Sequence, residues 1–241
     1  MTRYALLTMA VVLCVCAHRA GGRESTVATI SEPGPLARSI GQLFVPAIRY
    51  EQGYARHYDE HCSATLVAHG HRPASRLVLS AWHCLEDHRD LSRPVLFQTA
   101  DGQRIAAQLM ASGGAMHADW ALLRLSRALP APLPVQAAGV TASDPLRMAG
   151  FPRHAAPRVL TFASGCRVTG EDGADLRTDC VLQKGASGGA TLTDSATPAL
   201  IGVISRGDGV TQSIFVPVAR FYRRIRSFLE EDSARATSPA D

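Results

Sequence analysis

The sequence predicts an all-β protein that ends in one α-helix. Two observations support this fold class: apolar residues come in short runs separated by turn-forming residues, and helical periodicity is prominent only near the C-terminus. The chain has 241 residues, of which 46% are hydrophobic and 19% charged, so it can bury a core. This composition excludes an intrinsically disordered protein and a collagen-like repeat.

The N-terminal segment has the three parts of a secretory signal. Arg3 supplies the positive start, residues 4–17 are uncharged and mostly apolar, and small residues follow. The apolar part has 14 residues, too few to cross a bilayer, which takes about 20. We therefore predict a signal peptide over residues 1–20, cleaved after Ala17 or Ala20, and a secreted or periplasmic protein without stable membrane insertion.

Removal of the signal peptide changes the charge and the cysteine count. The chain has 25 basic and 21 acidic residues, and loss of two arginines lowers the net charge from +4 to +2, which argues against nucleic-acid binding by charge. Cys14 and Cys16 leave with the signal. An even number of cysteines in an oxidising compartment indicates two disulfides. The simplest of the three possible connectivities pairs Cys62 with Cys84 and Cys166 with Cys180.

The rest of the chain divides into two β units. Residues 21–39 lack apolar periodicity and are predicted to be a linker or pro-segment. A Pro-rich connector near residues 129–136 separates a first β unit, 40–134, from a second, 135–217. The candidate strands are 64–67, 77–80, 95–99, 105–109 and 121–125 in the first unit, and 146–149, 158–162, 166–169, 180–183, 189–192, 200–205 and 213–218 in the second.

Residues 218–231 are predicted to form the helix. Their apolar residues recur at i, i+3, i+4 and i+7, namely Val218, Phe221, Tyr222, Ile225, Phe228 and Leu229. Four arginines occupy the other side and indicate a solvated face of a docked helix. Residues 232–241 are expected to be a loose tail.

Ser187 lies in a Gly-Ala-Ser-Gly-Gly segment, residues 185–189. Flanking glycines let the backbone turn sharply, expose a hydroxyl and aim N–H groups at one point, as an oxyanion hole requires. The same pattern marks the nucleophile of α/β-hydrolases, where the histidine follows the serine. Because the last histidine here is His154, upstream of Ser187, that class is excluded and the partners of Ser187 must precede it.

His83 follows an apolar strand in the segment LVLSAWHC, residues 77–84. This segment resembles the histidine motif of the chymotrypsin-like (trypsin-fold) serine peptidases, of which the chain looks like a bacterial-type secreted member. Upstream, CSATLVA, residues 62–68, resembles the strand that carries the partner cysteine in that family. The resemblance implies a disulfide between Cys62 and Cys84 that pins His83.

Asp119 supplies the third motif. The segment HADWALLRL, residues 117–125, resembles the family's Asp-x-Ala-Leu-Leu segment, which implies that Asp119 orients His83. Three other acids, Asp87, Asp90 and Asp101, are weaker candidates because they lie in polar loops. The segment GVISRG, residues 202–207, resembles the strand that hydrogen-bonds a substrate backbone, and Ser205 would also support Asp119.

The resemblance covers about residues 40–231 and implies two six-stranded antiparallel β-barrels packed together with a C-terminal α-helix. It implies a serine endopeptidase acting on a protein or peptide. His83, Asp119 and Ser187 would be its triad, and the N–H groups of Gly185 and Ser187 its oxyanion hole. The implied substrate-binding residues are Val181, Lys184, Ser205, Arg206 and Gly207. No cofactor or metal is expected, and the protein is expected to be a monomer.

Two positions depart from the family pattern. The residue before the nucleophile, commonly an aspartate, is Ala186, so any activation differs from that of trypsin. The pocket-base position, six residues before Ser187, is Val181, which disfavours cleavage after Arg or Lys. Ile204 stands where glutamyl-specific relatives tend to carry a histidine, so a small or apolar side chain is the expected preference.

Two other classes of function compete with a serine peptidase. Residues 57–61 match the zinc signature H-x-x-E-H, but that motif needs a helix and this segment runs into a strand. The second alternative is a catalytically inactive peptidase-like fold that serves as a binding module. The complete triad argues against it, whereas Ala186 leaves it open.

Overall fold

The structure is a computed structural model and describes residues 26–29, 35–153 and 159–235. The predicted signal peptide, with Cys14 and Cys16, lies outside the described residues, as do His154 and residues 236–241 of the predicted tail. Within the described ranges, no helix is both long and apolar enough to cross a membrane.

The first sheet is a closed barrel. Its strands are β2 (Ile40–Glu51), β3 (Tyr54–Ala68), β4 (Ala74–Ser80), β5 (Val95–Gln98), β6 (Arg104–Ser112), β7 (Ala121–Pro130) and β8 (Leu133–Pro134). Six of them pair in the order β2-β5-β6-β7-β4-β3, and β3 pairs again with β2, which closes the ring. The two-residue β8 adds a parallel pairing to β3. Apolar side chains of these strands fill the interior, and Leu43, Leu66, Leu79, Phe97 and Leu123 are fully buried.

The second sheet is a half-barrel. Its strands are β1 (Thr26–Thr29), β9 (Leu146–Gly150), β10 (Thr161–Cys166), β11 (Val168–Asp172), β12 (Asp175–Thr178), β13 (Ala190–Thr193), β14 (Leu200–Gly207) and β15 (Ser213–Pro217). Their order is β1-β10-β9-β13-β14-β15-β12-β11, and no described pairing joins the two ends. The sheet is therefore more open than the six-stranded barrel expected from the resemblance. Gly165, at a φ of +72°, lies inside β10 and coincides with a register shift between Ser164 and Cys166.

Two observed elements lie within the segment predicted to be a linker or pro-segment. Strand β1 and a short helix α1 (Pro35–Ser39) lie inside the range 21–39. Strand β1 pairs with β10 at the edge of the second sheet, a long-range contact that local periodicity does not reveal.

The C-terminal helix α2 (Val218–Arg235) runs four residues past position 231. Its buried face includes Val218, Phe221, Ile225 and Leu229, and the Phe221 ring stacks on Trp120 with ring centroids 4.8 Å apart. Near its end, the Asp232 carboxylate accepts hydrogen bonds from the Ser75 hydroxyl at 2.8 Å and from the Arg76 N–H at 3.1 Å. These two contacts anchor the last turn of the helix on β4.

Candidate active site

The three residues of the predicted triad come from three different elements. His83 lies in a 3-10 turn, Trp82–Cys84, that follows β4. Asp119 lies just before β7, and Ser187 lies in the turn that precedes β13. His83 and Ser187 both line one cleft between the two sheets.

His83 is held through two of its own atoms and through the residue that follows it. Its ring Nδ1 lies 2.8 Å from the Asp119 Oδ2 atom, and its backbone N–H donates to the Asp119 Oδ1 atom at 2.9 Å. A disulfide between Cys62 and Cys84 ties the residue after His83 to β3, with Cα atoms 6.2 Å apart. Ring and backbone are thus fixed together, and the second ring nitrogen, Nε2, lies 3.8 Å from the Cys84 sulfur.

Asp119 is fully buried, at 0% exposure. Burial raises the pKa of a carboxyl, but the hydrogen bond and the charge of His83, with a further hydrogen bond from the Ser205 hydroxyl, outweigh that effect. The pKa of Asp119 therefore lies below its ordinary value. The carboxylate stays ionised and can stabilise an imidazolium at His83.

The Ser187 hydroxyl donates to the Ser205 backbone carbonyl at 3.1 Å. The turn around it depends on glycine: φ is +99° at Gly185 and +80° at Gly188. A Cβ atom at Gly188 would lie 2.2 Å from the Ser63 carbonyl oxygen, so no larger residue fits there. These constraints explain the glycines that flank Ser187 in the sequence.

The peptide group between Lys184 and Gly185 has a defined orientation. The Lys184 carbonyl accepts a hydrogen bond from the Arg153 N–H at 2.7 Å. Because the C=O and N–H of a planar trans peptide point in opposite directions, the Gly185 N–H points away from Arg153. Among the described residues none accepts a hydrogen bond from the Gly185 N–H, which is a requirement for the oxyanion donor predicted there.

Ser63 joins the turn to both sheets, a role that sequence reasoning missed. Its N–H donates to the Ser187 carbonyl and its hydroxyl to the Gly185 carbonyl, at 2.8 and 2.9 Å. The same hydroxyl accepts from the Phe151 N–H at 2.8 Å. The only signal in the sequence is its position after a half-cystine, which does not specify these contacts.

The cleft between the sheets has a volume of about 340 Å³. Four of the predicted substrate-binding residues line it, whereas Val181 does not, since its neighbour Leu182 takes that place. The lining residues are Glu60, His61, Cys62, His83, Met116, Arg153, Leu182, Gln183, Lys184, Gly185, Ala186, Ser187, Ile204, Ser205, Arg206, Gly207 and Ser213. A side chain entering the cleft beside Ile204 would meet mainly apolar groups and the Ser213 hydroxyl.

Arg206, predicted to bind substrate, has a guanidinium group that already has partners inside the protein. It pairs with Asp172 at 2.9 Å and with Asp175 at 3.0 Å. The Gln183 side chain, which also lines the cleft, donates to the Gly209 carbonyl at 2.6 Å. Any contact of Arg206 with substrate therefore competes with two carboxylates.

The weaker candidates lie in other networks. The Asp87 carboxylate accepts from the Tyr58 hydroxyl at 2.8 Å, Asp90 pairs with Arg93 at 3.0 Å, and Asp101 accepts from Gln103 at 2.7 Å. Residues 57–61 are part of strand β3, not of a helix, so His57 and His61 are about 13 Å apart along the strand, too far to bind one zinc ion together. Cys62, His83 and Cys84 lie close together, but the disulfide leaves neither cysteine as a thiolate ligand.

A comparison with protein families decides the classification. Residues 62–203 match the model of the trypsin-like peptidase domain, and this range includes the three triad candidates. The chain belongs to the trypsin-like peptidase family. No curated protein sequence matches it significantly.

Solved structures of serine proteases share this trypsin-like peptidase fold. An HtrA-type protease solved with a decapeptide matches with a TM-score of 0.62 at 15% identity, over 83% of this chain and 67% of that chain. A serine endoprotease from Yersinia pestis matches with a TM-score of 0.58 at 15% identity, over 82% of this chain and 65% of that one. This chain therefore spans about two thirds of the length of these proteases.

Proposed function

We propose that this trypsin-like peptidase is a secreted serine endopeptidase that uses His83, Asp119 and Ser187 as its triad. The observation that carries the proposal is the 2.8 Å contact between the His83 Nδ1 atom and the fully buried Asp119. His83 lines the same cleft as Ser187. A histidine held by a buried carboxylate beside a serine in a glycine turn is the arrangement that activates a hydroxyl for acyl transfer.

In the proposed reaction the Ser187 hydroxyl rotates from the Ser205 carbonyl toward His83. Its oxygen attacks the scissile carbonyl carbon while the His83 Nε2 atom takes the proton. The N–H groups of Gly185 and Ser187 stabilise the oxyanion. Collapse breaks the C–N bond, His83 protonates the leaving amine, and an acyl-enzyme remains. Water then attacks the ester, His83 takes its proton, and the Ser187 hydroxyl is restored.

The apolar groups around the cleft support a preference for a small or apolar residue before the scissile bond. Leu182 and Ile204 provide the apolar wall, and the one carboxylate among the described lining residues, Glu60, pairs with Arg153. The backbones of Ser205 and Gly207 would pair with the substrate strand. Lys184 lies at the rim and would contact residues beyond the scissile bond.

The proposal includes processing of the chain. Residues 1–20 are removed on export, residues 21–39 are the linker or pro-segment, and residues 40–134, 135–217 and 218–231 are the two β units and the helix. The mature protein acts as a monomer outside the cytoplasm on protein or peptide substrates. The reaction needs no metal or organic cofactor.

Covalent labelling with a fluorophosphonate tests the proposal. The purified mature protein, with and without residues 21–39, should be labelled, and Ser187→Ala should abolish labelling and lower kcat on a peptide library by roughly a millionfold. Ser143→Ala, at an exposed serine away from the cleft, is the matched control and should be labelled like the wild type. Absence of label on the folded wild-type protein would instead favour a peptidase-like binding module.

A further inference from the structure

A buried carboxylate behind the triad has no part in the reaction described. Asp175, the first residue of β12, is 2% exposed. Its Oδ2 atom lies 3.0 Å from the Arg206 Nη1 atom, and its Oδ1 atom contacts Arg220. A carboxylate this deeply buried needs such partners, because an unpaired charge there would be strongly destabilising.

The first of these arginines reaches the triad through Ser205. The Arg206 Nη1 atom donates to the Ser205 Oγ atom at 3.2 Å, while its Nη2 atom is held by Asp172. A hydroxyl has one hydrogen. Because the Ser205 oxygen accepts from Arg206, its own hydrogen is directed at the Asp119 Oδ2 atom, to which it donates at 2.5 Å.

The second arginine reaches the triad through the backbone. The Arg220 Nη2 atom donates to the His117 carbonyl at 3.0 Å, two residues before Asp119. Asp175 is therefore linked to Asp119 by two routes, one through Arg206 and Ser205 and one through Arg220 and His117. The two routes connect β12, β14, α2 and the segment that carries Asp119.

We propose that Arg206 and Asp175 are positioning residues for the triad, and that they act by fixing the Ser205 hydroxyl on Asp119. This inference rests on the proposed function, since it needs Asp119 to orient His83. A charged donor on the Ser205 oxygen also polarises its O–H bond and strengthens its donation to Asp119. Without Arg206, the hydroxyl can rotate and Asp119 loses a partner that holds it in place for His83.

A double-mutant cycle separates positioning through Ser205 from a general role in folding. Arg206→Met keeps an apolar stem and leaves Asp175 paired with Arg220. The kcat of this variant should fall about tenfold, with KM changed less than about twofold. In a protein that already carries Ser205→Ala, adding Arg206→Met should cause no further fall in kcat. Arg177→Met is the matched control, because Arg177 is an exposed neighbour on β12 whose guanidinium group donates to the Glu171 carbonyl, away from Ser205 and Asp119. It should keep the wild-type kcat.

Three outcomes overturn the inference while the proposed function stands: an unchanged kcat in Arg206→Met, an equal fall in the Ser205→Ala background, or a change confined to KM. If Arg206→Met does not fold, as judged by circular dichroism, Asp175→Asn keeps the shape of the side chain and must show the same dependence on Ser205. A wild-type protein that is neither labelled nor active overturns the proposed function and this inference together.

Discussion

Ser63 joins the two sheets at the candidate active site. It belongs to β3 of the closed barrel, yet its N–H and hydroxyl donate to the Ser187 and Gly185 carbonyls of the turn that carries Ser187. Its hydroxyl also accepts from Phe151, beyond the end of β9. One buried side chain thus sets the position of the turn that carries the proposed oxyanion donors relative to the strand that carries the Cys62 disulfide.

Ser63→Ala should reduce both stability and catalysis. The variant leaves the buried Phe151 N–H without its partner, which costs about 1 to 3 kcal/mol of unfolding free energy. Displacement of the Gly185 peptide should lower kcat by about tenfold to a hundredfold with little change in KM. Ser75→Ala is the control, since Ser75 is an equally buried serine bonded to Asp232 away from the cleft. If both variants kept full kcat, Ser63 would have no role in placing the turn.

Asp119 gives the folded state a defined pH dependence. Its pKa in the folded protein lies below the unfolded value of about 4, so the ionised carboxylate stabilises the fold fully above that pH. This contribution is lost as the pH falls below 4 toward the folded pKa. The unfolding free energy of the wild type minus that of Asp119→Asn should therefore shrink between pH 6 and pH 3. Denaturant titrations at each pH measure it, and a constant difference would contradict this account.

At the scale of the elements, strand β3 begins earlier in the chain than the apolar periodicity of the sequence predicts. The apolar run predicts a strand only over residues 64–67, whereas β3 begins at Tyr54. Residues 54–57 are exposed on both faces, so they lack the alternation that identifies a half-buried strand. This part of the strand is instead defined by its antiparallel pairing with residues 48–51 of β2, and the His57 Nδ1 atom also lies 3.4 Å from the Asp90 carboxylate.

The disulfide between β3 and the 3-10 turn of His83 is expected to stabilise the protein. It closes a loop with a sequence separation of 22 residues, and its loss should cost about 3 kcal/mol on the chain-entropy estimate. A variant with Cys62→Ala and Cys84→Ala should also lose activity before it loses its fold, because the backbone beside His83 is released. Thermal unfolding and peptide hydrolysis measure the two effects. Activity equal to the wild type at a temperature where the variant is folded would show that the bond does not help to hold His83.

At the scale of the whole molecule, one apolar core runs through both sheets and the helix. It includes Leu43 and Leu66 of the barrel, Val203 and Val216 of the half-barrel, and Phe221 of α2. A second cluster, around Met148 and Phe215, lies within the second sheet. Because the larger core is shared, we expect the sheets to unfold together.

Phe221→Ala tests this shared core. Loss of the buried ring on Trp120 should cost about 3 to 5 kcal/mol of unfolding free energy and leave a single cooperative transition. Phe228→Ala, on the half-buried side of the same helix, is the control and should cost less. Fluorescence and circular dichroism during thermal unfolding measure both variants. Two separate transitions in the wild type would contradict a core shared by the two sheets.

The sequence by itself determined the fold class, the family resemblance and the three triad candidates, because each depends on a short motif whose residues are close together in the chain. Their distances to one another, the open second sheet, the cleft lining and the contacts of Ser63 and Asp175 were decided only by the tertiary structure. Ser63 and Gly185 are 122 positions apart, and Asp175 and Arg220 are 45 apart. Contacts over such separations depend on how strands are ordered in a sheet, and local patterns of polarity carry no information about that order.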